Sequence, residues 1–192
     1  MTQTFTANQV LDCKGLACPM PIVRTKKAMD GLLPGEVIEM QATDVGSLAD
    51  IQGWAKNTGH QYLGTLREGG VLKHFIRKAS PEEMKDEVPF SPEIANETVK
   101  SLLEQGGKAA ILDVREPAEF AFSHIPGAIS IPIGELDSRM NELDRSEELY
   151  VICRTGRRSG LACQRLKENG YKVSNVMPGM TAWSGPTEQS EQ

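Results

Sequence analysis

Two of the four cysteines in this 192-residue chain stand where covalent sulfur chemistry is favoured. Cys153 opens the run Cys153-Arg154-Thr155-Gly156-Arg157-Arg158-Ser159, which begins where an apolar strand ends and closes where a helix starts. A loop in that position turns backbone N–H groups inward and adds a helix N-terminus, so an anion at its centre is stabilised, the Cys153 thiolate included. Three arginines strengthen the field. Cys153 therefore reads as a nucleophile, with Arg154, Thr155, Gly156, Arg157, Arg158 and Ser159 as its substrate-binding loop. Cys18, just before Pro19, falls at the expected N-cap of a helix, where the dipole and free N–H groups again favour a thiolate and Lys14 adds positive charge. Cys163 sits beside Leu161, Ala162 and Leu166 and reads as core. No Cys-x2-Cys pair exists and the cysteines divide between the two halves of the chain, so no metal site is expected.

The elements that must position these thiols follow from periodicity. In the first half, strands are expected at Gln9 to Cys13, Glu36 to Thr43, Tyr62 to Arg67 and Val71 to Lys78, with helices at Pro19 to about Asp30 and Ser47 to Asn57. That order, β-α-β-α-β-β, lays two helices on one sheet as a two-layer sandwich. In the second half, helices at Pro92 to Glu104, Glu135 to Leu143 and Ser159 to Asn169 alternate with strands at Ala109 to Val114, Leu149 to Cys153 and Lys172 to Val176. Apolar strands between helices imply a parallel sheet covered on both faces, an α/β domain. Arg115 and Glu119, four apart at a helix start, are expected to pair with each other. His124 has no partner that the sequence identifies.

The stretch Ala79 to Pro92, with three prolines and an acidic run, reads as a linker, which gives domains at 1–79 and 92–192 joined by 80–91. Fully extended it would span at most ~40 Å. Net charge is −5, from 21 Lys+Arg against 26 Asp+Glu, which argues against a sequence-independent grip on nucleic acid and for small-molecule or protein partners. The longest apolar run is five residues, Leu149 to Cys153, and Met1-Thr2-Gln3-Thr4 has no basic or apolar character, so neither a membrane partner nor a secretory signal is expected. Thiols without a targeting signal point to a reducing cytoplasm.

Two resemblances give these cysteines a chemistry. Residues Ser91 to Pro186 resemble the rhodanese-like sulfurtransferases, through Leu112-Asp113-Val114-Arg115-Glu116-Pro117 with Glu119-Phe120, His124-Ile125-Pro126-Gly127-Ala128, the cysteine loop, and Gly179-Met180 with Trp183. Residues Gln9 to Lys78 resemble the TusA (SirA-like) sulfur carriers, through Asp-x-x-Gly-Leu-x-Cys-Pro-x-Pro from Asp12 to Pro21. The first implies that Cys153 holds sulfane sulfur as a persulfide; the second, that Cys18 accepts such a sulfur and passes it to a protein partner. No cofactor is implied beyond the cysteine persulfide itself. Cys13, spaced Cys-x4-Cys from Cys18, could resolve a persulfide there as a disulfide, although its strand-end place also suits plain packing. The phosphatases of the same fold need Cys-x5-Arg, and that position here is Ser159. The expected activity is a rhodanese-type sulfurtransfer. Thiosulfate or a glutathione- or CoA-type persulfide would load Cys153, and Cys18 would relay sulfur to or from a protein or thiol acceptor. The alternatives are a reactive-sulfur sensor without turnover and a carrier feeding tRNA thiolation or cofactor sulfuration.

Overall fold

The computed structural model describes residues 6–84, 90–106 and 109–190. The chain divides into two compact units, one of Phe5–Lys85 and the other chiefly of Asp86–Gln192, so the division falls inside the expected 80–91 segment. In the first unit the strands are β1 (Gln9–Asp12), β2 (Val37–Ala42), β3 (Gln61–Glu68) and β4 (Val71–Arg77), and the helices α1 (Met20–Asp30) and α2 (Ser47–Thr58). The sheet order is β1-β2-β4-β3, with β1 parallel to β2 and the other pairs antiparallel. Alternation in β2 turns Ile38, Met40 and Ala42 into a core shared with Met29 and Leu32 of the α1 region and Ile51 and Ala55 of α2. The β3–β4 hairpin closes on Gly69 (φ 56°) and Gly70 (φ 81°), a pair of left-handed positions that only glycine adopts without strain.

The second unit is a five-stranded parallel sheet, order β5-β9-β8-β6-β7, built from β5 (Glu93–Ala95), β6 (Ala110–Asp113), β7 (Ile129–Ser130), β8 (Glu148–Ile152) and β9 (Lys172–Met177). Its helices are α3 (Asn96–Glu104), α4 (Pro117–Phe122), α5 (Leu136–Arg139) and α6 (Arg157–Glu168). One face packs Leu112, Val151 and Val173 against Leu136 of α5 and Ala162, Cys163 and Leu166 of α6. The other packs Ile111, Ile152 and Val176 against Val99 of α3 and Ile125.

Several expectations are corrected. The helix expected from Pro92 starts only at Asn96, because Glu93–Ala95 pair in parallel with Asn175–Met177 as an edge strand too short to carry a period. The helix expected over 135–143 ends at Arg139 and continues as a 3-10 turn, Met140–Glu142. β7, with two residues, and α4, with six, are too short for periodicity to reveal. The linker is not free at its start: residues Pro81–Met84 form a 3-10 turn, and Glu83 takes two hydrogen bonds from buried Arg77 at 2.9 and 2.7 Å, which ties the turn to the first unit. Residues 85–89 of that linker lie outside the described residues.

Candidate active site

Cys153 lies at the carboxyl edge of the parallel sheet, directly after β8, where open α/β sheets hold their ligands. The chain then turns through Gly156 (φ 97°) into α6, and that left-handed residue aims its own N–H at Cys153 Sγ, 3.2 Å away. The Ser159 hydroxyl lies 3.3 Å from the same sulfur and 3.0 Å from the Gly156 carbonyl. The Gly156 N–H thus donates to the sulfur, and the single Ser159 proton is shared between that sulfur and the Gly156 carbonyl, an arrangement at a helix N-terminus that suits negative charge there. The loop is held from behind as well. Met180 N–H donates to the Cys153 carbonyl at 2.9 Å, and Thr181 donates to the Arg154 carbonyl through N–H at 3.0 Å and Oγ1 at 2.8 Å. Asn175 Nδ2 donates to the Gly156 carbonyl at 3.2 Å and Asn96 Nδ2 to the Gly179 carbonyl at 2.9 Å.

The six loop residues do not share one role. Arg154, Thr155 and Arg157 are half-buried, whereas Arg158 and Ser159 are buried. Arg158, expected to bind substrate, instead turns inward and grips Glu119 with two hydrogen bonds of 2.7 and 2.9 Å. Ser159, also expected among the substrate contacts, is 0% exposed and serves the cysteine sulfur from within. The expected Arg115–Glu119 pair does not form. Arg115 precedes α4 and does not share its surface; its guanidinium folds back on Asp113 with bonds down to 2.6 Å and reaches the Ser123 carbonyl at 2.7 Å. His124 stacks on Phe120, with centroids 3.7 Å apart, and meets Glu188 Oε1 at 3.1 Å. Cys163 is core, as expected, and burial, with the nearby Cys153 adding to it, pushes its thiol up to about 12.

Cys18 is exposed and stands one residue outside the helix cap, which is Pro19. The surroundings expected to ionise it are absent or spent. Lys14 pairs with Asp12 at 3.2 Å and donates to Gln41 at 2.9 Å. The charged groups acting on Cys18 are acidic: the Asp50 carboxylate, in the first turn of α2, raises the thiol above its ordinary value, and desolvation and the charge of Asp44 push the same way. Cys18 is thus held as a thiol and not as a thiolate. Cys13 is 0% exposed in the first unit's core and its thiol is raised by burial, so it packs; nothing in its position supports a resolving role. Asp50 was not visible as a functional residue in the sequence, because only the folding of α2 beside the start of α1 brings it to Cys18. Among the described residues no cluster of three or more His, Cys, Asp or Glu is placed to hold a metal ion, and no helix is long and apolar enough to cross a membrane.

Residues 9–78 match the family described as Sulfurtransferase TusA, and residues 95–186 the Rhodanese-like domain family. A relative from Bacillus subtilis (strain 168), named "Putative sulfur carrier protein YrkF", is 51% identical over 95% of this chain and 98% of its own. The chain belongs to this TusA–rhodanese family. Each half of the family architecture also has relatives of its own. The sulfur carrier protein TusA of Allochromatium vinosum is 40% identical over 38% of this chain and 95% of its own. A solved rhodanese-like domain protein from Staphylococcus aureus is 31% identical, covers 52% of this chain and 98% of its own, and superposes with a TM-score of 0.50. The cysteine cradle belongs to the rhodanese-like half and Cys18 to the TusA half, so the two thiols lie in separate sulfur-handling modules of one family.

Proposed function

We propose that this TusA–rhodanese protein is a cytoplasmic sulfurtransferase that loads sulfane sulfur on Cys153 and relays it through Cys18. The observation that carries the reading is the convergence of the Gly156 N–H and the Ser159 hydroxyl on Cys153 Sγ. A Cys153 thiolate attacks the outer sulfur of thiosulfate or a low-molecular-weight persulfide; the donor's S–S bond breaks, sulfite or a thiolate leaves, and the new S–S bond stands on Cys153. The two cradle donors that held the thiolate also suit the terminal anion of that persulfide. Cys18 then gives its proton to Asp50, attacks the outer sulfur and releases the Cys153 thiolate, with no net oxidation. A tether on one chain raises the concentration of one thiol at the other to the order of millimolar, where its length spans the gap. The cysteine persulfide is the whole of the working group in this scheme, and a protein or thiol acceptor takes the sulfur from Cys18.

Intact-mass analysis after thiosulfate treatment tests the scheme on the wild type, Cys18→Ser and Cys153→Ser. The expected result is one sulfur atom on each unit of the wild type and no loading of either unit in Cys153→Ser. Thiocyanate release in the presence of cyanide should continue over many turnovers. Stoichiometric labelling without turnover would instead support a sensor, and loading of Cys18 in Cys153→Ser would overturn the relay.

A further inference from the structure

Beneath the cysteine loop the second unit buries an ion pair whose two halves come from distant elements. Glu119, in the first turn of α4, has a side chain 0% exposed, and Arg158, the second residue of α6, one 9% exposed. Glu119 is itself fixed, since its Oε2 also accepts the Glu116 N–H at 3.0 Å at the head of α4. The carbonyl of Ser123, where α4 ends, is held by Arg115, and Arg115 by Asp113. Two sets of charge-assisted bonds therefore meet on α4, one tying its end to the end of β6 and the other tying its first turn to the first turn of α6.

Arg158 lies between the two residues that serve the cysteine: Gly156 is two positions before it and Ser159 one after. Both donors belong to the turn that the Arg158 side chain anchors. Stability alone is a weak reason for such a pair, because desolvating two charges offsets most of their attraction and apolar replacements of similar volume are often neutral. Geometry is a better one, since a bidentate guanidinium–carboxylate contact fixes direction as well as distance.

We propose that Glu119 and Arg158 are positioning residues of the cysteine cradle: their bidentate pair fixes the first turn of α6 so that the Gly156 N–H and Ser159 O–H meet on Cys153 Sγ, and it withdraws Arg158 from the substrate contacts. The inference rests on the sulfurtransfer reading of Cys153. It makes Arg158 a determinant of turnover rather than of donor affinity.

The test is the double variant Glu119→Leu/Arg158→Met in the full chain, which removes the pair without leaving a lone buried charge or changing net charge. Thiosulfate-dependent thiocyanate formation gives kcat and KM, and carbamidomethylation of the Cys153 peptide across pH reports how readily that sulfur ionises. Loss of positioning lowers kcat by about tenfold or more, leaves KM within about twofold, and moves alkylation of Cys153 to higher pH. Wild-type kcat and an unmoved pH profile in a folded double variant would overturn the proposal, as would a raised KM with kcat preserved. Should the double variant not fold, Arg158→Lys keeps the charge and loses the bidentate grip; the same directions are expected, and wild-type behaviour there overturns it equally. The alkylation profile needs no sulfur donor. A shifted profile alongside a wild type that makes no thiocyanate would sink the sulfurtransfer reading and leave the positioning intact.

Discussion

Cys153 and Cys18 are the same functional group placed in opposite settings. Cys153 is 1% exposed, with a backbone N–H and a hydroxyl directed at its sulfur and a helix beginning beside it. Cys18 is exposed, with the Asp50 and Asp44 carboxylates raising its thiol above the ordinary value. One site aims hydrogen-bond donors at its sulfur; the other faces its sulfur with acidic groups that raise the thiol above its ordinary value. In the proposed relay, the difference fits the donor-facing nucleophile to the cradle and the accessible thiol to the carrier. An exposed thiolate would react with any oxidant or disulfide in solution, whereas an exposed thiol whose ionisation Asp50 opposes reacts with them more slowly.

The largest expected effect comes from breaking the Cys153 side of this comparison from behind. Gly179 has φ 88°, and a Cβ there would stand 2.6 Å from the Cys153 carbonyl oxygen and 2.8 Å from that of Arg154, both backbone atoms that cannot step aside. Gly179→Ala should displace the loop, cost the second unit about 2 kcal/mol or more, and slow sulfur loading of Cys153 on the order of 100-fold. Mass-resolved loading from thiosulfate, together with urea unfolding, checks both. Iodoacetamide labelling of Cys18 should stay at the wild-type rate, and loading of Cys153 at the wild-type rate would refute the claim that this backbone contact sets the cradle.

How much of this was legible depends on how local each contact is. The Cys153 loop was readable because its donors lie within six residues of the cysteine, and the strand before it and helix after it carry clear periods. The ββ hairpin was readable from Gly69-Gly70 for the same reason. Glu119–Arg158 was not, because its partners are 39 residues apart and meet only when the sheet sets α4 beside α6. The sequence offered Glu119 a nearer cation, Arg115, and spacing alone could not reveal that Arg115 turns back to Asp113. The same limit hid Asp50, which approaches Cys18 from another helix. A helix-end rule predicted the right type of place for Cys18 and the wrong sign of its electrostatics, since nearby carboxylates outweigh a partial dipole charge.

A smaller effect sharpens the Cys18 side. Asp50→Asn removes the carboxylate that raises the Cys18 thiol, so alkylation of Cys18 at neutral pH should become several-fold faster. Transfer of sulfur to Cys18 should not gain in proportion, because the variant also loses the group that receives the proton as Cys18 attacks. Comparing iodoacetamide labelling with single-turnover sulfur transfer separates the two. Equal acceleration of both would show that Asp50 only suppresses ionisation, and slower labelling would contradict its effect on the thiol altogether.

The smallest effect at neutral pH distinguishes the two units by their buried histidines. His74 is 0% exposed inside a hydroxyl network of the first unit: Ser47 Oγ lies 3.0 Å from Nε2 and Thr65 Oγ1 2.7 Å from Nδ1. Ser47 Oγ donates its proton to the Asp44 carbonyl, so it accepts from Nε2–H and leaves Nδ1 to accept from Thr65, which is a neutral imidazole. Burial, with Arg67 adding to it, lowers His74 to about 4. Above its unfolded value of about 6.5 the residue is neutral in both states and contributes no pH dependence. As pH falls from there toward 4, the unfolded chain takes up a proton that the folded unit refuses, so stability declines, by about 3 kcal/mol once both states are protonated. Trp54 and Trp183 lie one in each unit, so Trp183→Phe leaves a fluorescence signal of the first unit alone. Urea unfolding of that variant between pH 7.5 and 4 should show the decline, and adding His74→Gln should flatten it. A slope that survives His74→Gln would assign the acid sensitivity to other groups and remove His74 from the network that holds the Asp44–Ser47 turn, next to the residues that set the charge around Cys18.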